Sequence, residues 1–471
     1  FAALNASRSS VSMGEWAMRE TNGWLAVALV GAFAQACSGD QEPPGAGRDA
    51  VAEQAPSRDG MVADTTAEGP EAAGDGGSGE SAHDARDGRG PLFALFAGSN
   101  FGDDTVQLTA IDWSSRERTG STVISAAFAD ALPLVSKGRA FLLERSASKL
   151  LLLDSAQPWK STKTVDLAGS DDSGFGTDPL AVVNTGSKAY VPLYYENTIA
   201  IVDVEQAKVT GRVELAQFVA DSDPDERVDV FDGVFDEATH RAYFLLQRIP
   251  QYERGIEPDR VSHCLPVAPL IVAVDTTTDQ IVDLHADAGG AGISLLGANP
   301  GALVPDLGHG KLFVVEVGCY RAPDGGDADA AADAQASFPR EGRGIEVVDL
   351  ASRTSDWRYR HTGPHRLSGV VLVDATHAFV SMDDASYATH WYPWNPSGPT
   401  LGAEVSNFPT FAPKYLGGTQ VVGISPRFVD GGTLNALVAF DIGSQQTTTL
   451  VSDIFGDPKY DGEYNGWALY P

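Results

Sequence analysis

The chain has 471 residues, 43% of them apolar, with 33 Lys+Arg against 64 Asp+Glu, a formal net charge of −31 and 3 Cys. A chain this acidic repels phosphate backbones and anionic lipid headgroups, which excludes a nucleic-acid binder and a polybasic membrane binder. Its apolar content excludes wholesale disorder, and three cysteines cannot build a disulfide framework.

The first residue is Phe and the first methionines are Met13 and Met18, so translation is expected to begin at one of these. The apolar run from Trp24 to Phe33 is about ten residues long. That is too short for a bilayer, which needs about 20, and it suits the core of a signal peptide. Ala34-Gln35-Ala36-Cys37 follows and resembles a bacterial lipoprotein box. Leu is missing three residues before the cysteine, Gln35 is larger than the usual small residue, and Arg19 is offset by Glu20. The resemblance implies lipidation of Cys37; plain cleavage after Ala36 is the alternative. Ser38 resembles the outer-membrane-sorted class of lipoproteins. Residues 1–37 are therefore read as leader and signal peptide. Residues 38–90 hold Gly, Ala, Asp, Glu, Ser and Pro with almost no large apolar side chain. Such a stretch cannot offset its ordering entropy and is expected to be a disordered acidic tether.

Past residue 90 one phrase recurs: an apolar strand, a polar gap, a second apolar strand ending in Asp, then a polar turn. The strand-end residues are Asp112, Asp154, Asp203, Asp275, Asp349 and Asp441, at intervals of 42, 49, 72, 74 and 92. The last interval is twice 46, and its midpoint, Asn395, reads as a degenerate copy. An Asp at a strand end accepts hydrogen bonds from turn N–H groups, so the series is expected to be structural. Each Asp is preceded by a strand of the kind Lys188-Ala189-Tyr190-Val191. Relatives begin at Arg139, Arg241, Lys311 and His377, with less regular versions at Leu95 and Gln420. Several units open with Gly-x-x-Pro, as at Gly176–Pro179 and Gly297–Pro300. No long stretch of helical period appears, so each unit reads as four short strands.

Seven four-stranded units predict an all-β, seven-bladed β-propeller over residues 91–471, since radial repetition leaves only short sheet edges. The stretch from Ser187 through Tyr190-Val191, Asn197 and Ile201-Val202-Asp203 resembles the YVTN-type repeat of secreted and surface-layer β-propellers. The resemblance implies the fold and says little of function. The repeat region opens without an innermost strand, while Gly466–Pro471 is left over after the last unit. The C-terminus is therefore expected to supply the innermost strand of the first blade.

From the second-strand aromatic to the strand-end Asp there are 13 residues in units two and three, 32 in unit four and 36 in unit five. The two long connections join second to third strands and fall on one face of the ring. Long loops concentrate function, so this face of blades four and five is expected to be the working face. The connections contain Cys264 and Cys319, which are expected to form a disulfide in an oxidising compartment, with two free thiols the alternative. Asp324–Asp333 is read as a solvated acidic tether.

Asp221-Ser222-Asp223-Pro224-Asp225 spaces carboxylates like the start of a Ca²⁺ loop, but Glu226 stands where that loop needs Gly. A solvated acidic turn is the preferred reading, and no cofactor is expected. His361 and His365 flank Gly363-Pro364, which prevents a helix from aligning them. No nucleophile-elbow, zinc-helix or phosphate-loop motif is present. His390-Trp391-Tyr392-Pro393-Trp394 can stack a sugar or pack between blades, and packing is preferred. The leading expectation is a monomeric binding or scaffold module at the cell envelope, in the periplasm or on the cell surface. Its partner would be an envelope protein or glycan, and it would touch the membrane only through an N-terminal lipid. The runner-up is a lactonase-like hydrolase with a divalent metal at the channel mouth, where Asp178, Asp229, Asn299, His365 and Asn407 are the candidate groups. Asp232 could also reach that mouth.

Overall fold

The computed structural model describes residues 93–470 except 127–128, 169–175, 222–225, 250–266, 285–290, 319–341, 385, 387, 430–431 and 461–462. The described chain forms seven antiparallel blades in a ring, as the repeat predicts. Counted outward from the axis, blade 2 is Ala131–Ser136, Arg139–Glu144, Lys149–Leu153 and Ser161–Asp166. Blades 5 and 7 follow the same order, and the second strands of blades 3 to 6 begin at Lys188, Arg241, Lys311 and Ala378. Blade 4 divides its outermost position between Gln280–Val282 and Ile293–Ser294, both paired with Leu270–Asp275. Among the described residues the fourth position of blade 6 is held by the bridges Trp391 to Val405 and Trp394 to Leu401.

Ring closure is as the sequence predicts. The C-terminal strand Glu463–Tyr470 pairs antiparallel with Phe93–Asn100 and becomes the innermost strand of blade 1. Trp467 stacks on Phe96 with ring centroids 5.7 Å apart, and its indole N–H donates to Ala412 O of blade 7.

Seven apolar clusters lie among the described residues, one at each seam between neighbouring blades. Strand alternation explains why the second strands are apolar without a break. Ala140 and Leu142 face blade 1, while Phe141 and Leu143 face blade 3. Burying each such large side chain contributes about 1.5–3 kcal/mol.

The face carrying the first-to-second and third-to-fourth strand turns is the lower face. Here the repeated Asp does what its position predicts. Asp112 Oδ1 accepts from the N–H groups of Ser114 and Ser115, and Asp275 from Thr277 and Thr278. Asp349 accepts from Ala351 and Ser352, and Asn395 from Ser397. In the turns of Asp112, Asp203, Asp275, Asp349 and Asp441 the residue four after the Asp is left-handed: Arg116, Ala207, Asp279, Arg353 and Gln445. Thr119, Thr162 and Thr210 are the extra residues of β-bulges in fourth strands, and each hydroxyl donates to a third-strand carbonyl.

Candidate functional site

The upper face carries the remaining connections. In blades 4 and 5 the second and third strands pair directly, Arg241–Leu246 with Leu270–Asp275 and Lys311–Glu316 with Gly344–Asp349. Residues 247–269 and 317–343 therefore both leave and rejoin the ring on this face. Cys264 and Cys319 lie outside the described residues, as do Cys37, most of the acidic stretch 221–225, and Asp324–Asp333.

Four of the five channel-mouth candidates share a backbone conformation. Asp178, Asp229, Asn299 and Asn407 have φ of 46°, 49°, 53° and 63°. The left-handed region favours Asp and Asn among residues with a side chain, so backbone geometry accounts for their type. Three of them also clamp the chain where it leaves a second strand. The carbonyls of Asp178, Asp229 and Asn299 accept from the N–H groups of Tyr194, Gln247 and Val317. Asn407 stands elsewhere: it is exposed, and its carbonyl accepts the Thr447 hydroxyl from the outermost strand of blade 7.

The side chains form a seam from blade to blade. Ser99 Oγ of blade 1 donates to Ala129 O, just before the first strand of blade 2. Arg145, at the end of the second strand of blade 2, bonds Asp130 at 3.1 Å and Asp178 at 2.8 Å. Burial works against the Arg145 charge, but the two carboxylates outweigh it and hold the guanidinium protonated; burial pushes Asp178 up against the pull of Arg145. Tyr194 Oη donates to Gln247 Oε1 at 2.8 Å, and Gln247 Nε2 donates to Pro300 O at 2.5 Å. Gln247 is 2% exposed and joins blades 3, 4 and 5.

This seam fixes the roots of both long connections. In blade 4, Asp229 Oδ2 accepts from Ile249 N at 2.9 Å, and Arg248 donates to Ala268 O at 2.9 Å, tying outgoing root to returning root. In blade 5, Ala298 O accepts from Gly318 N at 2.9 Å and Ala298 N donates to Gly342 O at 3.1 Å. Gly318 has φ +86° and lies against Arg343, where a Cβ would stand 2.2 Å from the Arg343 Cγ. Neither conformation nor space admits a larger residue there.

Beneath the blade 5 roots lie two buried carboxyls. Glu346 accepts from Leu296 N, Gly297 N and the Ser355 hydroxyl. Glu316 is fully buried, and among the described residues neither of its oxygens has a hydrogen-bond partner. Burial first, and the neighbouring Glu346 second, push Glu316 well above the ordinary Glu range.

His365 packs against His390 with ring centroids 5.8 Å apart. His390 bonds Glu404 at 2.8 Å and Asp384 at 3.2 Å, and these hydrogen bonds raise it. Arg366 lies 3.6 Å from Asp383. Trp391 and Trp394 are 5% and 3% exposed and pack in the seams on either side of blade 6, so the two tryptophans of the aromatic run are packing residues. On the first strands, Asp232 accepts from Gly233 N and Leu303 N, and burial raises it to about 6. Lys414 of blade 7 is the cation that acts on it, and burial lowers Lys414 in turn. Among the described residues no three His, Cys, Asp or Glu side chains are grouped so as to hold one metal ion. The five candidates are thus divided among the seam, the blade 6 histidines and the outer edge of blade 7.

Sequence reasoning missed Arg145, Gln247, Arg248 and Glu316. Their common signal is a polar residue closing an otherwise apolar second strand: Leu143-Glu144, Leu246-Gln247, Val315-Glu316 and Met382-Asp383.

No family model matches the chain, and no curated protein matches it. Solved structures similar to it include the dihydro-heme d1 dehydrogenase NirN, at 14% identity and a TM-score of 0.46, with 80% of this chain and 75% of that chain covered. A 6-phosphogluconolactonase candidate from Bacteroides uniformis is similar at 11% identity and a TM-score of 0.47, with 80% and 99% covered. BamB from Moraxella catarrhalis is similar at 9% identity and a TM-score of 0.40, with 76% and 81% covered. At these values the likeness bears on nothing beyond the β-propeller fold, which the chain's own strand pairings establish.

Proposed function

We propose that the chain is an exported, lipid-anchored β-propeller that acts as a binding or scaffold module at the cell envelope. It holds an envelope protein or glycan against the upper face of blades 4 and 5. The observation that carries this reading is the fixing of both long connections at their roots, by Asp229 and Arg248 in blade 4 and by Ala298 in blade 5. Rigid roots present a loop in a defined place, which is what a recognition surface needs. Leu296, beside these roots, is 53% exposed and adds an apolar contact. Export and the anchor are supported by the apolar run before Ala34-Gln35-Ala36-Cys37 and by the acidic tether that follows.

Metal content and melting of the purified chain, with and without EDTA, separate this reading from the metal-hydrolase alternative. Binding without catalysis predicts no stoichiometric divalent metal and superimposable melts. A stoichiometric metal whose removal lowers the melting temperature would favour the hydrolase.

A further inference from the structure

At two seams of the lower face, a cation opening the second strand of one blade reaches a carboxylate in the third-to-fourth strand turn of the next. Arg139 of blade 2 bonds Glu205 of blade 3 at 2.9 Å. Lys188 of blade 3 bonds both oxygens of Asp279 of blade 4, at 2.8 and 2.7 Å, and the Tyr190 hydroxyl donates to the same carboxylate. Blade 5 has the same cation, Lys311, at the same place. The turn of blade 6 runs Asn395-Pro396-Ser397-Gly398 and holds no carboxylate. Ser397 stands two residues after Asn395, as Glu205 stands two after Asp203. Among the described residues Lys311 makes no hydrogen bond or close ion pair; it acts only at a distance, as one minor influence holding Asp349 down.

The seam is open at this point. A cleft of about 220 Å³ lies between blades 5 and 6, and its lining includes the polar Lys311, Arg358, His309 and Ser397 and the largely buried Phe313 and Val347. Asp306 also lines it, with its carboxylate on His309 at 2.7 Å. Arg358 is the extra residue of a β-bulge: Ile345 pairs with Tyr359 and Glu346 with Trp357. A bulge re-aims its side chain, and among the described residues its one close carboxylate, Asp356, is 3.7 Å away and exposed.

We propose that this cleft binds a small organic anion. Its carboxylate or phosphate group takes on Lys311 the place that Glu205 and Asp279 fill at the other seams. Arg358 is the second donor, and the apolar body of the ligand rests on Phe313 and Val347. Charge-assisted hydrogen bonds from an ammonium and a guanidinium suit either oxyanion. The volume is below the roughly 300 Å³ at which pockets for drug-sized ligands begin, so the body is about one ring in size. The site lies on the face opposite the proposed binding surface and does not depend on it.

Calorimetric titration of the full chain at low ionic strength, with benzoate and with inorganic phosphate as probes, tests this. At least one probe is expected to bind, and which one does assigns the oxyanion. Lys311→Gln and Arg358→Gln should each weaken it by about tenfold or more. Ser397→Glu places a carboxylate where Glu205 stands in blade 3, so it should abolish probe binding and raise the melting temperature. Failure of both probes to bind at millimolar concentration would overturn the proposal. So would binding that is unchanged in Lys311→Gln and Ser397→Glu.

Discussion

On the lower face, Asp112, Asp275 and Asp349 sit near solvent, accept hydrogen bonds from their own turns and are held below the ordinary carboxylate range, Asp112 at about 2. On the upper face, Glu144, Asp178, Glu316, Glu346 and Asp383 are withdrawn from water, and burial raises all five. The lower carboxylates satisfy their own turns, so each blade repeats the same solution. The upper polar groups reach the next blade, as Ser99, Arg145 and Gln247 do, or hold loop roots, as Asp229 does. One face repeats the same turn in each blade, with the ion pairs Arg139–Glu205 and Lys188–Asp279 crossing two of its seams, while on the other the bonds between blades differ from seam to seam.

The largest expected effect lies on neither face but in the strand that closes the ring. Deleting residues 464–471 removes the innermost strand of blade 1 and exposes Phe96, so the melting temperature should fall by more than about 10 °C. An unchanged thermal transition would contradict closure by this strand. Next, Gln247→Ala removes both buried hydrogen bonds that Gln247 makes across the upper seam, to the Tyr194 hydroxyl and the Pro300 carbonyl. Chemical denaturation should show a loss of about 2–3 kcal/mol. Asp275→Ala removes turn hydrogen bonds that water can replace, and should cost about 1 kcal/mol. Equal losses for the two would erase the contrast between the faces.

The smallest effect separates the faces by pH. Asp112 is lower when folded, so its contribution is present above the unfolded value and is lost as pH falls toward about 2. Glu316 is higher when folded, so folding favours its neutral form. Its contribution is full below the ordinary Glu value of 4.5 and is lost as pH rises through its folded value. Glu316→Gln should therefore flatten the decline in melting temperature above pH 4.5. Parallel curves for wild type and variant would mean that Glu316 ionises freely in the folded chain.

The same contrast explains what the sequence made legible. The turn Asp recurs once per blade because its bonds are local, and even Asn395 could be recognised from spacing alone. Closure was legible because Gly466–Tyr470 had no other unit to join. The upper seam was not legible, because Gln247 reaches Tyr194 and Pro300, each 53 residues away. The channel-mouth candidates were chosen for their carboxylates and amides, yet Asp178, Asp229, Asn299 and Asn407 share a left-handed backbone that itself selects Asp and Asn. Residue type there reported conformation before chemistry. The bulge threonines carry no sequence signal, because Thr is ordinary in any strand.

The division of labour between the faces is tested most directly by site-specific photo-crosslinking in cells. Leu296, on the upper face, and Val123, on the outermost strand of blade 1, are both 53% exposed, so a photoreactive residue at either is equally available. A discrete crosslinked species from position 296, absent from position 123, is the predicted result. Crosslinks from position 123 alone, or the same species from both, would contradict a binding surface on the upper face of blades 4 and 5.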